Sequence, residues 1–138
     1  MKFVRVTTLA LALALAPVSC APSALQVQAT YVDRVAVTAN AALPALLSSY
    51  EREGQRAIDA AKTREEAEAS IARIEKKWAP VWASWEALRA ATDVYASALE
   101  RGGAPDMKAV QKALCELAAA SKTVGLPATG ILPILCAR

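Results

Sequence analysis

The sequence predicts an all-α fold: a long antiparallel, coiled-coil-like helical hairpin, a shorter third helix and a disulfide-pinned C-terminal tail. Three observations predict it. Alanine dominates the composition while glycine and proline fall in a few places, which suits long helices whose backbones approach closely. From Ala67 to Leu99 the apolar positions recur at alternating steps of four and three. Strand signals are nearly absent. The stretch QVQATYVDRVAVT alternates, but no second strand exists to pair its edge, so it reads as the opening of a helix.

The chain begins with Met1, Lys2, Phe3, Val4 and Arg5, followed by VTTLALALALAP. A basic start and an apolar run of roughly a dozen residues make a signal peptide, since a membrane-spanning helix needs about 20. Its end, Ala16-Pro17-Val18-Ser19-Cys20, resembles that of a bacterial lipoprotein signal peptide, in which a small residue precedes the cysteine that becomes the lipidated N-terminus. Pro17 stands where that family prefers leucine. The resemblance covers about the first 20 residues and implies removal of 1–19, lipidation at Cys20 and attachment to the periplasmic face of a bacterial membrane. Ordinary cleavage after Ser23 is the competing reading, and it gives a soluble periplasmic or secreted chain. Residues 21–138 then form one helical domain.

The first helix is expected over about 25–62, with Val32, Val35, Ala39, Leu43, Leu46, Tyr50, Ala57 and Ala61 on one side. Pro44 kinks or restarts it, because its ring clashes with the Asn40 carbonyl. No glycine or proline separates this helix from the next, so one bent rod competes with a hairpin. Burial favours the hairpin: a helix of ~38 residues is ~57 Å long and its apolar stripe needs a cover of similar length.

The second helix is expected over 64–101. Thr63 and Glu66 have the spacing of a capping box. Its seam is Ala67, Ile71, Ile74, Trp78, Val81, Trp85, Leu88, Thr92, Tyr95 and Leu99, ending at Arg101-Gly102-Gly103-Ala104-Pro105. The third helix, 106–124, repeats the spacing in Met107, Val110, Leu114, Leu117, Ser121 and Val124 and should pack across one end of the hairpin. The tail is 125–138. Both cleavage routes use up Cys20, leaving Cys115 and Cys136 to form a disulfide closing a loop of about 22 residues, worth roughly 3 kcal/mol; two buried free thiols are the alternative.

All three tryptophans lie in WAPVWASW, residues 78–85. At about 100° per residue, Val81, Trp82 and Trp85 fall within about 60° of Trp78, and Pro80 falls on the opposite face. A mid-helix proline generally sits on the convex, solvent side, which puts the indoles on the concave side as the thick part of an alanine-built core. A groove for an apolar ligand is the alternative use of Trp78, Val81, Trp82 and Trp85. Arg89, one turn beyond Trp85, is expected to make a cation–π contact or to meet a partner's carboxylate.

The remaining signals mostly exclude. With Lys2 and Arg5 set aside, 14 basic residues face 13 acidic ones and the two signs interleave, so there is no basic stripe for nucleic acid. There is no histidine, which removes the commonest general base and metal ligand. The carboxylates Glu51, Glu53, Glu65, Glu66 and Glu68 read as a solvated face. No catalytic residue, metal site or cofactor is expected. The expected function is that of a non-catalytic envelope lipoprotein, a scaffold, adapter or assembly factor that packs on another envelope protein or on itself. The alternative is a periplasmic binding or chaperone-like module using the tryptophan face.

Overall fold

The computed structural model describes residues 23–126, and every regular element among them is helical. Helix α1 spans Ala24–Ala60, α2 spans Arg64–Glu100 and α3 spans Met107–Thr123. The helix starts are all capped. The Ser23 hydroxyl accepts from Gln26 N–H at 3.2 Å while Gln26 Oε1 accepts from Ser23 N–H at 2.9 Å, a complete capping box. Asp106 caps α3 by accepting from the backbone of Lys108 and Ala109. At α2 the expected box is only half formed. Thr63 Oγ1 accepts from Glu66 N–H, but the Glu66 carboxylate reaches one residue further back, to Lys62 N–H at 2.8 Å.

The helix ends follow glycine chemistry where glycine is present. After α2, Gly102 takes φ 67°, with its N–H on Leu99 O and Gly103 N–H on Ala98 O. After α3, Gly125 takes φ 77°, with Leu126 N–H reaching Ser121 O. Both are Schellman closures, in which the left-handed residue lets two orphan carbonyls be satisfied. Between α1 and α2 the chain turns without glycine, through an extended Ala61 whose N–H bonds Ile58 O. Pro44 does not restart α1: it lies inside the helix with its ring exposed.

The contacts pair rising numbers on α1 with falling numbers on α2, so the two run antiparallel. The Cβ position of Gly54 lies 3.7 Å from Ile71, Tyr50 meets Trp78, and Ala36 and Ala39 line a crevice with Leu88 and Thr92. Every seam position expected on α2 is buried or half-buried, and Pro80 is exposed as its opposite face requires. The third helix corrects the expectation that it crosses one end. It packs extensively along α2 and little on α1, and its C-terminal Val124 and Leu126 reach the neighbourhood of Trp78. Helix α2 is therefore the centre of the molecule. Its core residues Trp78, Val81, Leu88 and Tyr95 join Val35 of α1 and Val110, Leu114 and Leu117 of α3 in one cluster.

Candidate functional site

The four side chains singled out on α2 come together. Trp78 and Val81 are fully buried, while Trp82 and Trp85 are half-buried against the same core. Trp78 and Trp82 stack at 5.6 Å between ring centroids. Tyr50 of α1 closes over both, edge-on at 5.6 Å to Trp78 and 5.8 Å to Trp82. Edge-to-face and offset pairs at these separations are the favoured aromatic geometries. Tyr50 thus covers part of the face that the sequence offered as a groove.

Glu53 is the residue the sequence reading misplaced. It is half-exposed, but its carboxylate is bonded into the aromatic cluster and not simply solvated. One carboxylate oxygen accepts from Trp78 Nε1–H at 2.8 Å and the other from Lys77 Nζ at 2.7 Å. The Lys77 bond, then the indole N–H, hold the Glu53 carboxyl below the usual carboxylate range against an opposing push from burial. The signal was present in the numbering. Leu46, Tyr50, Glu53 and Ala57 step by four, three and four, so Glu53 occupies a seam position that a search for apolar residues alone passes over.

Of the two contacts foreseen for Arg89, the described residues bear only on the cation–π pair. Among the described residues Arg89 forms no cation–π pair; it is exposed and lines a crevice of about 120 Å³ with Trp85, Asp93 and Asn40. Its backbone carbonyl accepts from the Thr92 hydroxyl at 2.8 Å, which satisfies the one polar side chain buried in the α2 seam. Among the described residues, three buried polar atoms have no hydrogen-bond partner: Tyr31 Oη, Trp85 Nε1 and Tyr95 Oη. Burial pushes the Tyr31 and Tyr95 hydroxyls above the usual phenol range.

The described residues contain no grouping of side chains able to hold a metal ion. Arg64 and Glu68 form an exposed ion pair at 2.7 Å, one turn apart on the helix surface. Cys115 is half-buried on α3, whereas Cys20 and Cys136 lie outside the described residues. No described helix is long and apolar enough to cross a membrane. No family model matches the chain, and no curated protein or solved structure matches it either.

Proposed function

We propose that this chain is a non-catalytic helical lipoprotein of the bacterial envelope that works by helix packing, as a scaffold, adapter or assembly factor. One observation carries the reading: the tryptophan cluster is closed by Tyr50 and Glu53 from within the chain, so the apolar surface left for a partner lies elsewhere. That surface is on α1. Among the described residues the large apolar side chains that stand exposed are Leu25, Val27, Val37, Leu47 and Ile58 on α1 and Val94 on α2, and Val37 and Leu47 in the middle of α1 are the ones offered to a partner helix. Fluorescence tests the choice between core and groove. A core gives blue-shifted emission resistant to a soluble quencher and unmoved by apolar ligands; a quenchable spectrum that shifts with such a ligand refutes it in favour of the binding module.

Lipidation at Cys20 is supported by the start of α1. Cleavage after Ser23 removes the residue that caps the helix, a loss of ~1 kcal/mol, while cleavage before Cys20 keeps the whole capping box. An intact mass carrying a lipid increment, and release from membranes in Cys20→Ala, test this. The disulfide between Cys115 and Cys136 completes the proposal, and Cys115 is not without a partner. Two titratable thiols in the unreduced protein would exclude that bond.

A further inference from the structure

We propose that the first turns of α1 stand end-on in the lipid head-group layer, with Leu25 and Val27 as the side chains that enter it. The inference rests on lipidation at Cys20. Only Ala21 and Pro22 separate Cys20 from Ser23, and three residue steps of chain reach at most about 10 Å. Ser23 already caps the helix. A lipidated Cys20 therefore has no linker with which to lift α1 clear of the membrane.

The residues held there suit that layer. Residues 21–32 carry no charge, and the first charged side chain is Asp33. At ~1.5 Å per residue Asp33 stands about 15 Å above Ser23, beyond a head-group layer of roughly 5–8 Å per leaflet. Between them lie the neutral polar residues Gln26, Gln28 and Thr30, and the Thr30 hydroxyl is satisfied by Gln26 O at 2.9 Å. Leu25 is 51% and Val27 55% exposed. They project about 160° apart around the axis, which fits a helix entering upright; one lying flat needs its apolar residues on a single face. Along α1 itself the other end is unlike this one: exposed Ile58 sits there among Arg56, Asp59 and Lys62. The antiparallel α2 brings the charged Glu100 and Arg101 toward the first end, where a polar head-group layer can solvate them.

The test uses the full chain, processed and acylated, in vesicles of phosphatidylethanolamine and phosphatidylglycerol doped with lipid brominated on its acyl chains. Val27→Trp, with Leu25→Trp as a second variant should the first lose helicity, is compared with Ile58→Trp and with the unsubstituted protein. The expected result is a blue shift and loss of the added emission for Val27→Trp, with no loss for Ile58→Trp or for the native indoles. If the protein carries its lipid and floats with the vesicles but Val27→Trp is not quenched, the chain is anchored and this inference fails alone. A protein without the lipid increment that stays in solution fails both readings. A chain that associates with itself and shields Val27→Trp from the bilayer likewise overturns the inference.

Discussion

Replacing Glu53 separates two interactions made by one carboxylate. Trp78 is 1% exposed and its N–H has Glu53 Oε2 as acceptor, so Glu53→Ala leaves a buried donor unpaired, at about 1–3 kcal/mol. It also removes the Lys77 ion pair, whose side chains are 41% and 33% exposed; pairs this open contribute about 0.2–1 kcal/mol. Glu53→Gln keeps a carbonyl oxygen for the indole and loses only the charge, so it should cost about 1 kcal/mol or less. Lys77→Ala should cost the same small amount. Urea unfolding followed by tryptophan emission reads these differences. With a slope of about 2 kcal/mol per molar, mid-range for a small protein, an extra loss of about 1–2 kcal/mol in Glu53→Ala displaces its midpoint from that of Glu53→Gln by roughly 0.5–1 M. Equal midpoints for the two Glu53 variants would refute the indole bond. A Lys77→Ala loss as large as that of Glu53→Ala would assign the effect to the ion pair.

The same site sets a pH dependence. The folded carboxyl of Glu53 is held low by Lys77 and then by Trp78, so its contribution is fully present above the unfolded value, ~4.3, and is lost as pH falls through the folded one; the gap between wild type and Glu53→Gln in urea midpoint should shrink in acid. Trp78→Ala should cost about 3–5 kcal/mol in the same assay, the range for emptying a buried aromatic site. Tyr95 is buried with its hydroxyl unpaired, so Tyr95→Phe should be neutral or slightly stabilising by thermal melt, whereas a destabilised variant would reveal a partner for that oxygen. Pro44 is exposed in the interior of α1, and Pro44→Ala restores an N–H for the Asn40 carbonyl; the melting temperature should rise, by an amount corresponding to no more than ~3 kcal/mol.

What was legible in the sequence was periodicity and punctuation. The run from Ala67 to Leu99 announced its buried face because its apolar steps matched one seam, and the glycines after α2 and α3 closed those helices through positive φ. The turn between α1 and α2 was harder to see. It uses no residue with special backbone freedom, only a Thr63 cap and the reach of Glu66 to Lys62, and capping bonds of this size are easily mimicked by chance spacings. Glu53 was missed for a different reason. A carboxylate in a seam position reads as solvated until its partners are known, and the indole N–H that satisfies it lies 25 residues away. Arg89 shows the converse: its place beside Trp85 on the helix surface was correct, but one turn of spacing does not bring a long side chain over a ring.

The position of α3 explains why the unpartnered surface falls on α1. Helix α3 buries Val110, Ala113, Leu114, Leu117, Ala118, Ala120 and Ser121 within 17 residues, a face broad and small enough to lie close against a neighbour. Helix α1 fully buries only Val32, Val35, Ala39 and Leu46 in 37. A short helix with a wide apolar face gains most by lying where two stripes can be met. On α2 the residues Ser84, Ala91 and Ala98 lie beside the main seam, on one side of it, and are half-buried, which widens that helix enough to serve two neighbours. Helix α1 has only the narrower stripe and is covered from one side. Its outer residues Val37 and Leu47 therefore stay 61% and 43% exposed, uncovered by either of the other two helices.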